Sequence, residues 1–182
     1  GFLRGHSVRA LIISKGDEVL FETYRGKHDE TTLWNVHGIS TTLIAAAVGA
    51  ALESGKIQSP DEYISLSLPE YGGSRLTWRH LLTMTSHLAY RETPFFPVSH
   101  TARLFTDDDF SDLVHQPTFR ENQAPGESFQ YSSLDAQIMG EALEAVYDMP
   151  LKRIINQEVW LPMRAEMAAQ WSVADTTKEV RA

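Results

Sequence analysis

The chain has 182 residues, 16 Lys+Arg against 24 Asp+Glu, a formal net charge of -8 and no cysteine. Hydrophobic residues make up 42% and Pro and Gly are ordinary, which excludes collagen-like and disordered chains and leaves a globular domain able to bury a core without staples. Absent cysteine removes disulfides, thiolate zinc sites and a cysteine nucleophile, and the acidity without a Lys/Arg cluster argues against nucleic acid and membrane partners.

Val8 to Ile13 and Val19 to Tyr24 are β-rich runs around Lys15-Gly16-Asp17, which predicts a hairpin. Two strands alone are marginal in water, so they read as the edge of a larger sheet. From Ile39 to Ser54 the apolar residues are nearly continuous, which predicts a helix buried on most sides and stopped by Gly55. Its apolar stretch, Leu43 to Leu52, is roughly half the length that spans a bilayer, so it reads as core. Ser59-Pro60-Asp61-Glu62 has the order of a helix or turn start. Thr77 should cap a helix from Trp78 to about Met84. Thr106-Asp107-Asp108-Asp109 should open another, the acids favouring the positive helix end rather than a metal. Leu134, Ile138, Ala142 and Ala145 recur at helical spacing, so Ser133 to Val146 is a further helix. Pro150 can then occupy the first turn of a last one, ending near Trp160. The expected fold class is α+β: an N-terminal hairpin over residues 1–30 and a predominantly helical region over 31–182, without internal repeat or linker. No targeting segment is visible, and cytoplasm is favoured over periplasm.

Three stretches together resemble the serine β-lactamase, penicillin-binding-protein and esterase superfamily, in its 6-aminohexanoate-dimer-hydrolase-like branch. Val36 to Ala51 is similar to the helix carrying that family's Ser-x-x-Lys motif. Leu76-Thr77-Trp78-Arg79-His80-Leu81-Leu82-Thr83-Met84-Thr85-Ser86 resembles its "T-x-R-H-L-L-x-M-T-S-G" segment. Ala124-Pro125-Gly126-Glu127-Ser128-Phe129-Gln130-Tyr131-Ser132-Ser133 resembles "P-G-x-x-F-x-Y-S-N", the second catalytic motif. Trp160-Leu161-Pro162 and Gln170-Trp171-Ser172 match the closing segment of the helical region. The resemblance implies hydrolysis of amide, ester or β-lactam bonds through an acyl-serine, without cofactor or metal. It also implies that this chain covers about the first half of a single catalytic domain whose C-terminal strands lie elsewhere.

Acyl transfer needs a nucleophile, a way to deprotonate it, and oxyanion donors. Counting back from Gly49, the nucleophile position is Gly38 and the lysine position is Thr41. Glycine carries no nucleophile and threonine no basic nitrogen. Making Ser40 the nucleophile instead would put Leu43 where lysine belongs. Tyr131 matches the tyrosine of the second motif, but a tyrosine without a helping cation is only about 0.1% ionised at pH 7. Ser133 replaces the usual Asn and is expected, with Trp171, on the substrate-binding side. No Lys-Thr-Gly or His-x-Gly triplet follows. His87, Asp148 and Arg164 stand where the family has glycine, positions that often need a left-handed backbone.

The expectation is therefore a family member impaired in catalysis, by analogy with protease knockouts on the order of a million-fold. It would bind a small amide- or ester-containing molecule, and a partner chain or homo-oligomer could complete its sheet. The alternatives are an active small-amide or ester hydrolase in its full-length form, and a non-catalytic helical interaction module. His37, beside the lost serine, is a candidate surrogate base. Trp78 and the Phe95-Phe96 pair read as core or loop packing before pocket lining.

Overall fold

The computed structural model describes residues 5–93, 100, 102–103 and 111–171. The chain divides into two compact units, Gly1–Asn35 with Met167–Ala169, and Val36–Glu166 with Gln170–Ala182.

The first unit is built on the hairpin. Strand β1, Ala10–Lys15, pairs antiparallel with β2, Glu18–Tyr24. Lys15 faces Glu18 across the two-residue turn, and Gly16 takes a φ of +59°, the left-handed geometry such a turn demands. The register shifts between Ile13 and Ser14, which face Phe21 and Val19 and so leave Leu20 as the bulged residue. Strand β1 begins later and ends later than the β-rich run suggests, because the tight turn, not side-chain propensity, sets where pairing stops. The strands expose apolar side chains on both faces: Ile12 is 56% exposed, Val19 56% and Phe21 45%.

The second unit is helical and contains the core. Helix α1, Ser40–Glu53, follows a single 3-10 turn at His37–Ile39. Its buried residues are Ile44, Ala47, Val48 and Ala51, the i, i+3, i+4, i+7 stripe of an amphipathic helix. Burial on most sides was the wrong expectation. Thr42, Ala46 and Gly49 face outward, and alanine and glycine read as apolar in sequence yet lose little by exposure. Gly55, with φ +74°, ends the helix while Lys56 and Ile57 donate back to the carbonyl of Ala51.

Ser59 to Glu62 forms a turn rather than a helix, with the Ser59 hydroxyl accepting from Asp61 N–H at 3.1 Å. Helix α2, Trp78–Leu82, is capped by Thr77, which accepts from the N–H of His80 while the His80 ring accepts from that of Thr77. A histidine thus takes the part usually played by Glu in a capping box. Helix α3, Ser111–His115, is preceded by residues outside those described, among them Thr106 to Asp109.

Helix α4, Ser133–Tyr147, is the hub. Ten of its fifteen residues are buried, and α1, α2, α3 and α5 (Leu151–Ile155) all pack on it. Gly140 lets α5 approach: a Cβ there would lie 2.8 Å from Leu151 Cδ2. Pro150 sits one position earlier than expected, as N-cap of α5. The last turn, Asn156–Trp160, widens to a π-helical one in which Leu161 N–H reaches Asn156 O at 2.9 Å. Among the described residues no helix is long and apolar enough to cross a membrane.

Candidate functional site

Gly38 lies in the 3-10 turn that feeds α1, and Thr41 follows one turn on, half-buried. The turn is entered through His37, whose φ is +45°, and its carbonyl accepts the Ser40 hydroxyl at 2.7 Å. Ser40 therefore spends its proton on the backbone. His37 itself is exposed.

The opposite wall is the segment before α4. Gln130 N–H donates to Met84 O at 2.8 Å, and the Gln130 side chain donates to Tyr90 O at 3.1 Å. Ser132 then caps α4, its hydroxyl accepting from Asp135 N–H at 3.2 Å. Fixed between these two anchors, the Tyr131 side chain remains 41% exposed. Its hydroxyl stands 2.5 Å from where a Cβ on residue 38 would be, with Cζ 3.8 Å away. The structure thus brings Gly38 and Tyr131 together although 93 positions (131 minus 38) separate them in sequence.

Ser133 is engaged on both sides. Its N–H and its hydroxyl donate to the two carboxylate oxygens of Glu92, each at 2.9 Å. Glu92 thereby serves as a second cap for α4, and the one proton of the Ser133 hydroxyl is already committed. Trp171 is half-buried against the helical core, and its indole N–H is buried without an acceptor among the described residues. Trp78 is fully buried core, and Phe95 and Phe96 lie outside the described residues.

Asp135, in the first turn of α4, is a buried acid that the sequence does not single out. It is fully buried; Oδ1 accepts from the Ser86 hydroxyl at 2.7 Å and Oδ2 has no partner among the described residues. Burial pushes its pKa up to about 7, against the opposing pull of the Ser86 and Ser132 hydrogen bonds and of His87. The signal was present as Ser132-Ser133-Leu134-Asp135, the spacing of a capping box. The carboxylate nevertheless turns inward, tying the end of the α2 segment to the start of α4. His87 makes a parallel tie: its Nε2 accepts from Ser128 N–H at 3.0 Å, so Nδ1 is the donor to Gln123 Oε1 at 3.0 Å. His80 Nδ1 serves the α2 cap and His87 ties two segments, and among the described residues no three His, Asp or Glu side chains converge as a metal would need.

The comparisons with known proteins bear on the family and the fold. The family model described as Beta-lactamase matches residues 5–177. A 6-aminohexanoate-dimer hydrolase of Paenarthrobacter ureafaciens is 25% identical over 179 residues, covering 92% of this chain and 45% of the relative. The chain therefore spans about half the length of the curated relative it matches. Among solved structures, a Bacillus anthracis protein described as a candidate 6-aminohexanoate-dimer hydrolase superposes with a TM-score of 0.74 at 14% identity. It covers 87% of this chain and 45% of that one. A penicillin-binding protein of Bacillus halodurans superposes with a TM-score of 0.61 at 20% identity, over 84% of this chain and 50% of its own. At these identities the two structures speak for the fold, an α+β architecture of the serine β-lactamase and penicillin-binding-protein type. With the family match running over nearly every residue, from the hairpin through the Tyr131 segment to Trp171, the chain belongs to the Beta-lactamase family.

Proposed function

We propose that this chain is a non-hydrolysing member of its family that binds small amide- or ester-bearing molecules beside Tyr131. One observation carries the reading: the Tyr131 hydroxyl stands 2.5 Å from the position of a residue-38 Cβ. Gly38 and Thr41 are the nucleophile and lysine positions by family likeness, and Tyr131 is the second-motif tyrosine. A serine at 38 would have to displace that ring, so the site lacks the nucleophile and the phenol stands where its side chain would begin. What remains is a half-exposed phenol able to donate to, or accept from, a carbonyl or amide. Acyl transfer without nucleophile or base loses the whole triad-like unit at once, since its members act together.

The test is intact mass after incubation with a penicillin and with an activated ester. No mass increase is expected from this chain. A stoichiometric acyl adduct would overturn the reading and favour the active hydrolase. Gly38→Ser with Thr41→Lys gives the complementary arm, acylation returning where the remaining donors suffice.

The hairpin supports a second element of the proposal. Strands with apolar residues on both faces suit the interior of a sheet rather than its rim. Ile12, Val19, Leu20 and Phe21 are all exposed in β1 and β2. A partner chain or a second copy that extends the sheet and packs layers on its faces would cover them. Sedimentation velocity of the isolated chain checks this, self-association being the expected result.

A further inference from the structure

We propose that a groove on the helical unit, away from Gly38, Thr41 and Tyr131, binds a small planar carboxylate, held by Arg75, His80 and Gln123 between the rings of Tyr63 and Phe119. The groove encloses about 650 Å3, within the size range of small-molecule sites. One wall is the 61–80 segment and the other is 119–125. Hydrogen bonds fix both walls. Ile64 N–H donates to Leu76 O at 2.9 Å and Arg79 N–H to Pro60 O at 2.7 Å within the first. On the second, Arg120 N–H donates to His87 O at 3.0 Å and Gly126 N–H to Thr85 O at 2.9 Å. The cavity is therefore preformed.

Its polar groups are unevenly matched. Asp61 is neutralised by a two-pronged bond from Arg79, at 2.6 and 2.8 Å. Arg75 lines the same groove, is exposed, and pairs with nothing among the described residues. In a chain of net charge -8 this leaves a cationic side chain with no ion pair among the described residues. The His80 ring accepts Thr77 N–H at Nδ1, 3.2 Å away, so its proton sits on Nε2. Burial holds the His80 pKa below its ordinary value, which keeps the ring neutral and Nε2 a donor. Gly126 keeps that nitrogen open, for a Cβ there would lie 3.1 Å from it. Gln123 spends Oε1 on His87 and retains its amide N–H groups. Three unused donors, one of them cationic, thus line a single groove, and among the described residues its one lining carboxylate, Asp61, is already held by Arg79.

The apolar partners select the rest of the ligand. Tyr63 is 50% exposed and Phe119 half-buried. Exposed ring surface of this kind is stabilised by a flat apolar body, and the guanidinium can pair a carboxylate with two parallel hydrogen bonds. A planar acid uses both.

The experiment is a titration of the 15N-labelled chain with 2-naphthoate and, separately, 2-naphthamide, which has the same rings without the charge. Naphthoate should bind about tenfold more tightly than naphthamide, the effect of one charge-assisted contact at a solvent-accessible site. Shifts should centre on Gly73 to Thr77 and on the Gln123 side-chain amide. Arg75→Gln should erase the difference between the two ligands while its spectrum shows the fold intact. Equal binding of acid and amide would overturn the proposal. So would no binding at millimolar ligand, a difference that survives Arg75→Gln, or shifts centred on Gly38 and Tyr131. This site does not rest on the inactive reading of Gly38, and either can fail without the other.

Discussion

The contact between Gly38 and Tyr131 makes a quantitative prediction through Gly38→Ala. The added Cβ would lie 2.5 Å from the Tyr131 hydroxyl, whereas real Cβ atoms essentially never come within 3.0 Å, so the ring must retreat by at least 0.5 Å (3.0 minus 2.5). Overpacking of this kind costs about 1–3 kcal/mol. Tyr131 is 41% exposed and can swing toward solvent, which puts the cost in the lower half of that range. In a Tyr131→Phe background the nearest atom is Cζ at 3.8 Å, an ordinary contact. There the alanine should stabilise by about 0.5–1 kcal/mol, the usual gain over glycine in a helical turn. The double-mutant cycle therefore predicts a coupling of about 1.5–3 kcal/mol between residue 38 and the Tyr131 hydroxyl. Urea unfolding of the four proteins measures it, m-values being compared to confirm a common transition. Additivity within about 0.5 kcal/mol would refute the claim that the phenol occupies the face of Gly38.

Two further predictions concern stability. Asp135 has a folded pKa raised to about 7, so its neutral form stabilises the fold fully below about pH 4 and that contribution is lost as pH rises through 7. The loss is on the order of 4 kcal/mol, and Asp135→Asn, with no proton to lose, should flatten the dependence of urea midpoint on pH between 4 and 8; parallel curves for the two proteins would show that the carboxyl is ionised throughout. Asp148 ends α4 at φ +52°, where a side chain is strained and a negative charge meets the negative helix end. Asp148→Gly should raise the thermal midpoint by about 2–4 °C, and Asp148→Asn, which removes only the charge, by less.

Most of the local structure was legible because its causes are local. Thr77 and Ser132 cap the helices that follow them, Gly55 stops α1, and Gly16 makes the hairpin turn. The three positions where glycine was expected adopt the left-handed backbone, with φ of +58° at His87, +52° at Asp148 and +55° at Arg164. The backbone course has been kept while the residue suited to it has not, at a cost of about 1 kcal/mol each. Side-chain partners were a different matter. The role of Glu92 as a carboxylate cap on Ser133 depends on a contact across 41 residues, and the inward turn of Asp135 on one across 49. Hydrogen bonds of that span leave no mark on the local pattern of charge or hydrophobicity.

The sequence by itself determined the hairpin, the order of the helices, the family, and which residues stand at the motif positions, because capping, periodicity and motif spacing are properties of short segments. It also determined that no Ser-x-x-Lys pair is present. Only the tertiary structure decided that α1 buries a single stripe, that the Tyr131 hydroxyl fills the space of a missing side chain, and that Arg75, His80 and Gln123 line one groove. Each of these depends on which surfaces meet when α1, α2 and the chain before α4 close on one another. That closure is governed by burial summed over the whole core.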